Sequence, residues 1–169
     1  GLVQFKFRHR VNSLLLTDGA VSGVEGEILG KTSAGREPER SRPAPGAFHF
    51  KAQAVIVAAG GIGGNHDLVR QNWPARLGQP PKEMIAGVPE HVDGRMLGIT
   101  AAAGGRIINP DRMWHYTEGL HNGDPIWPGH GIRILPGPSS RLFDATGSRL
   151  PAPLLPGFDT LGTLEHIMR

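Results

Sequence analysis

The strongest chemical signal lies near the middle of the chain. Ala54-Val55-Ile56-Val57-Ala58-Ala59 is a short apolar run that ends in Gly60-Gly61-Ile62-Gly63-Gly64-Asn65. Four glycines in five residues leave backbone without Cβ atoms, so a ligand can come close to the peptide groups. Asn65 is a good N-cap, Asp67 suits a first helical turn, and Leu68-Val69 open an apolar face. Free N–H groups at such a helix start favour an anion. The dinucleotide fingerprint is incomplete. Gly61-Ile62-Gly63 supplies G-x-G, but His66 stands where the third glycine belongs. A plain tight turn is the other reading of the same residues.

Other groups able to do chemistry lie further on. His115, His121 and His130 share an irregular stretch with Asp111, Glu118 and Asp124, a ligand set zinc would accept. No two histidines stand four residues apart and the spacing fits no helix face, so no metal site is assigned. Pro138-Ser139-Ser140 is not the G-x-S-x-G of a nucleophile elbow, which leaves a hydrolase unsupported. Trp114, His115, Tyr116 and Glu118 are the substrate-side candidates, since a Tyr or His can orient a carbonyl or pass a proton. Packing by Trp114 and Tyr116 and a backbone hydrogen bond by His115 is the other reading. Arg133 and Arg141 either pair a carboxylate or face water. No residue is assigned as the catalyst.

Composition narrows the classes. Gly and Pro number 25 and 15, together 40 of 169 residues, about 24%, so irregular backbone should be plentiful. There is no Cys, which excludes disulfides, thiolate metal sites and a cysteinyl cofactor bond. No apolar stretch approaches the roughly 18 residues of a membrane span. Net charge is +3, and all of it falls between Lys31 and Lys51, where five basic residues face Glu37 and Glu39. That Pro/Gly/Ser-rich stretch, residues 30–46, reads as a flexible basic insertion and not as a nucleic-acid footprint. The opening Gly1-Leu2-Val3-Gln4 has no basic-then-apolar signal pattern, and the chain looks cut from a longer one. A cytoplasmic location is the expectation.

The elements that must position these groups follow from periodicity. Val3, Phe5 and Phe7 alternate with Gln4, Lys6 and Arg8, and residues 3–16 read as a strand. Asp18-Gly19 is a hairpin turn, residues 20–29 return, and Phe48 and Phe50 mark a third strand. Residues 54–59 read as a strand buried on both faces, as in a parallel sheet. Pro74 ends the helix that Asn65 opens. A second helix is capped by Asp93, carries Met96, Leu97, Thr100 and Ala101 at helical spacing, and ends at Gly104-Gly105. Ile107-Ile108 reads as a short strand, and residues 160–168 as a last helix.

At these residues the chain resembles a family. Residues 54–65 resemble the V-V-x-A-T/A-G-G-x-x-x-N segment of the fumarate reductase and succinate dehydrogenase flavoproteins. The same segment is found in the 3-ketosteroid Δ1-dehydrogenases and their actinobacterial relatives. His9-Arg10-Val11 with the Asp18-Gly19 hairpin, Asp93-Gly94 with Ala103-Gly104-Gly105, and Ala145-Thr146-Gly147-Ser148-Arg149 resemble further motifs of the group, in order. Val92, Leu150 and the missing His-Pro-Thr segment depart from it and weaken a fumarate or succinate substrate.

The resemblance implies FAD as cofactor. It places Ala59, Gly60 and Gly61 against it, Val11 as an adenine-side backbone contact, and Asp93 and Gly94 nearby. It implies an α/β fold. Residues 1–108 would be part of a Rossmann-like, β-β-α FAD-binding domain with a β-meander, and residues 109–169 would begin an α+β cap domain for substrate. The implied reaction is hydride transfer between flavin and a carbon beside an activating carbonyl, on a small-molecule substrate, with the remainder of the parent flavoprotein as partner. The G-x-G-x-x-G unit that holds the diphosphate is not in this sequence. The rival expectation is a non-catalytic module, truncated or partner-binding, without bound flavin.

Overall fold

The computed structural model describes residues 2–31, 45–117, 119–134, 140–155 and 157–169. The body of the basic insertion, residues 32–44, and Glu118 lie outside the described residues. The chain divides into two compact units, residues 1–61 with 90–108, and residues 62–89 with 109–169.

The first unit is built on an antiparallel meander. Strands β1 (His9–Thr17), β2 (Ala20–Ile28) and β3 (Gly46–Lys51) lie in the order β1-β2-β3. The β1–β2 turn is the one the sequence predicts. Asp18 and Gly19 both take positive φ, 52° and 78°, the backbone of a two-residue hairpin whose twist matches its strands. Thr17 pairs with Ala20, and β1 carries register shifts at Val11/Ser13 and Leu15/Leu16. Across the pair Arg10 grips Glu27, and Ser13 donates to Glu25 at 2.7 Å. The hydrogen bond from Arg10, with a second from Asn12, holds the Glu27 carboxyl below the usual carboxylate range. Helix α2 (Arg95–Ala102) packs on β1 and ends at Gly104, whose φ of 86° suits a left-handed stop.

Glycine in β2 is required by close approach. A Cβ on Gly26 would collide with the Arg10 carbonyl oxygen and meet the Phe48 ring at 3.0 Å. With that space left open, Phe48 reaches His9, their rings 4.7 Å apart, and Phe50 completes the cluster 5.0 Å from Phe48.

Two predicted strands and the start of a third differ. Residues 2–7 form no strand, because Arg8 turns the chain with φ 61° before β1 begins, leaving Phe5 and Phe7 each 77% exposed. Residues 54–59 form no strand, and Ile56 is 92% exposed. Ile107-Ile108 is likewise irregular. The reason is common to all three: a strand is a property of a pair, and no described strand runs beside these segments to receive their backbone groups. Ladders between the named strands are all antiparallel among the described residues, so the parallel, Rossmann-like layer is not formed by them.

The second unit holds α1 (His66–Gln71), a single 3₁₀ turn (Ala75–Leu77), the antiparallel pair β4 (Gly119–His121) and β5 (Gly131–Arg133), and α3 (Thr160–Met168). Asn65 caps α1 as its sequence predicts, its Oδ1 accepting the Leu68 N–H at 3.0 Å. Asp159 caps α3 in the same way through Gly162. Leu77, Leu150 and Leu164 are buried, and α3 packs on the 3₁₀ turn. Ile85 lies over Gly119 and Gly131, where a Cβ on Gly131 would meet it at 2.6 Å.

Gly26→Ala is expected to lower the stability of the chain by about 2 kcal/mol, because its Cβ forces the β1 and β2 backbones apart. Denaturant unfolding checks this, and an unchanged midpoint would contradict it.

Candidate functional site

The first unit carries a cleft of about 730 Å³, within the range of small-ligand and cofactor sites. β1 contributes His9, Arg10, Val11 and Leu14, β2 contributes Val24, residues 54–61 form a wall, and His91 with residues 93–97 form the rim at the start of α2. Val11, Ala59, Gly60, Gly61, Asp93 and Gly94, chosen from sequence and scattered over more than eighty positions, all line this one cleft.

Each is placed by a local cause. Gly60 has φ 82°, a conformation that suits glycine, and a Cβ there would stand 3.1 Å from Val92 Cγ1. Gly61 has open space around its missing Cβ. The N-cap of α2 is Gly94, left-handed at φ 82°, and not Asp93 as the sequence reading has it. Asp93 acts one residue earlier: its Oδ1 accepts the Arg95 N–H at 2.9 Å, and the carboxylate holds the Arg95 guanidinium at 2.8 Å. Burial pushes the Asp93 carboxyl up, but the hydrogen bonds and charge of Arg95 outweigh it and hold it below the usual range. The carboxylate is thus ionised and already engaged, which suits a support for the rim more than a proton carrier.

The wall fits a bound planar group. Between Ala58 and Gly61 no side chain extends beyond Cβ. Among the described residues, the N–H and C=O groups of residues 54–61 take part in no backbone–backbone hydrogen bond, so no ladder occupies this wall. Val11, Leu14, Val24, Met96 and Leu97 make the rest of the lining largely apolar.

The substrate-side candidates lie in the second unit. His115 is half-buried against Trp73, ring centroids 4.8 Å apart, and its Nε2 is buried without a hydrogen-bond partner among the described residues. Burial, helped by the Arg76 guanidinium, pushes its imidazole below the ordinary value. Trp73 Nε1 is in the same condition, and the sequence reading passed over it. Tyr116 lies under the Arg133 guanidinium, 4.1 Å from ring centre to Cζ, so Arg133 has a cation–π role that sequence did not suggest. Glu118 is outside the described residues. His130 is tied into its loop, its Nδ1 accepting the Ile126 N–H at 3.2 Å and meeting Asn122 Nδ2 at 2.9 Å. Among the described residues no three His, Asp or Glu side chains gather as a metal site would need. Asp144, also missed, organises the turn before Arg149 by accepting from the Thr146 hydroxyl and the Ser148 N–H. The signal for it is its place directly before the Ala145–Arg149 segment that carries part of the resemblance.

The family model described as an FAD binding domain matches residues 1–166. The chain belongs to the FAD binding domain family. FAD is therefore the cofactor of this domain, as the glycine segment and its ordered companion motifs implied. A KsdD-like steroid dehydrogenase of Mycolicibacterium smegmatis is 63% identical over 99% of the chain. A KsdD-like steroid dehydrogenase of Mycobacterium tuberculosis is 60% identical over the same share. The chain spans 30% of the length of each. No solved structure matches the chain. No helix among the described residues is long and apolar enough to cross a membrane.

His115 gives a pH dependence of definite sign. Its folded-state pKa lies below the ordinary 6.5, so as pH falls through 6.5 the unfolded chain takes up the proton first and stability drops. Above that value the group contributes no slope. The melting temperature is expected to fall between about pH 7.5 and about pH 5.5, and less so in His115→Gln. An equal fall in both proteins would contradict the burial of this ring.

Proposed function

We propose that the chain is the middle part of an FAD-dependent steroid dehydrogenase whose first unit holds part of the cofactor. The convergence of six residues from three sequence-distant segments on a cleft with a side-chain-poor wall carries this reading. Ala59, Gly60 and Gly61 lie against the flavin cofactor, Val11 offers its backbone to the adenine side, and Asp93 with Arg95 fixes the rim where Gly94 approaches. When bound, FAD supplies hydride exchange with a carbon beside an activating carbonyl. The residues of this chain bind it, exclude water and shape the wall.

In this reading residues 1–108 are part of the flavin domain and residues 109–169 begin the cap domain. The break between Ile108 and Asn109 agrees with that boundary, while residues 62–89 group with residues 109–169. Residues 54–59 become a strand of a Rossmann-like parallel sheet when the remainder of the parent flavoprotein lies beside them. The exposure of Ile56 supports this, because an apolar run of that length is stable only when covered. His115, Tyr116 and Glu118 contact a small-molecule substrate. A steroid ketone is favoured over a dicarboxylate by the names of the relatives and by the engagement of Arg133 with Tyr116. A cytoplasmic location belongs to the same proposal.

The full-length protein is expected to purify with flavin and to oxidise a 3-ketosteroid but to leave succinate unchanged. Gly60→Val, which needs a strained φ and crowds Val92, should weaken FAD binding at least about tenfold. Full flavin content in Gly60→Val, or turnover of succinate alone, would overturn the assignment. The isolated 169-residue chain is expected to lose flavin on gel filtration, and a surviving flavin band would contradict its dependence on the rest of the protein.

A further inference from the structure

We propose that His9 is a hydrogen-bond acceptor for a ring N–H of the cofactor, a reading that rests on the assignment of the cleft to FAD. His9 lines the cleft at the first residue of β1. Its Nδ1 lies 2.8 Å from the Phe7 carbonyl oxygen. A carbonyl cannot donate, so the proton of this contact sits on Nδ1, and the neutral form with that tautomer leaves Nε2 with a bare lone pair. Among the described residues Nε2 makes no hydrogen bond, and it is not among the buried polar atoms.

Two further features hold the ring in place. The Phe48 ring lies 4.7 Å away, tilted by 51°, and the Phe50 ring 5.7 Å away, close to parallel at 21°. The chain reaches this pose through Arg8, a non-glycine residue at φ 61°, with the Arg8 carbonyl accepting the Leu29 N–H at 2.8 Å. A left-handed arginine costs free energy, and such backbone persists where the surroundings impose it, often at ligand sites. Packing alone would be served by phenylalanine. What histidine adds here is one acceptor, of fixed tautomer, on a residue that borders the cleft.

The matching chemistry is an N–H on the edge of a planar heterocycle. FAD carries two: the 6-amino group of adenine and N3–H of the isoalloxazine. The test uses full-length apoprotein titrated with FAD, with FAD bearing hypoxanthine in place of adenine, and with N3-methyl FAD. Wild type is expected to bind one of the two analogues about tenfold more weakly than FAD, and that analogue identifies the partner. His9→Phe keeps the stacking and removes the acceptor. It should weaken FAD by a similar factor, and show no further loss with the analogue that wild type rejects. His9→Gln, which retains an acceptor oxygen, should recover part of the affinity.

Equal wild-type affinity for all three ligands would overturn the inference, even if His9→Phe does not fold. So would His9→Phe binding FAD as tightly as wild type, or losing affinity for all three ligands alike, as expected if His9 only packs or meets a sugar hydroxyl. Wild type that binds no FAD would instead remove the assignment of the cleft, and this inference with it.

Discussion

The structure turns on a stretch of backbone, residues 54–61, that has apolar side chains, no ladder and almost no Cβ atoms at its far end. Hydrogen-bonding groups left unpaired carry a free-energy cost unless water, a strand or a ligand receives them. Apolar side chains such as Ile56, 92% exposed, carry another. A flat cofactor on one side and further sheet on the other would relieve both. Residues that merely needed to turn would not require a preceding apolar run, nor glycine at both Gly60 and Gly61.

The rest of the first unit serves to hold that segment opposite a stiff surface. The meander is stiffened by cross-strand contacts: Arg10 with Glu27, Ser13 with Glu25, and the clustered His9, Phe48 and Phe50 rings, with Phe48 beside the space that Gly26 leaves. The rim is set by Asp93, whose carboxylate bonds both the backbone and the guanidinium of Arg95 and thereby fixes the start of α2. These pairs are mostly exposed and contribute little to stability individually. Their effect is positional: they keep the charged side chains of Arg10, Asp93 and Arg95 occupied at the edge of the cleft.

Legibility in the sequence followed how local the cause was. The hairpin at Asp18-Gly19, the Asn65 cap and the helices at 95–102 and 160–168 depend on a few neighbouring residues, and the sequence located them. The alternation of Val3, Phe5 and Phe7 and the run at 54–59 promised strands, but pairing partners are not a local property and none is present among the described residues. For the site, the glycine segment and Asp93-Gly94 could be chosen from spacing and resemblance, because backbone approach demands particular residue types. His9, Trp73 and Asp144 were passed over. Their roles come from a tautomer set by a carbonyl, from burial and from a turn, none of which is written in residue identity alone.

Amide exchange measured residue by residue on the full-length protein, with and without FAD, tests the central claim most directly. If the bare wall exists to receive the cofactor, the N–H groups of Ala59, Gly60 and Gly61 should exchange at least about tenfold more slowly once FAD is bound, together with Gly94. If FAD binds and those amides exchange at the same rate as before, the cofactor lies elsewhere and the glycine segment is only a turn.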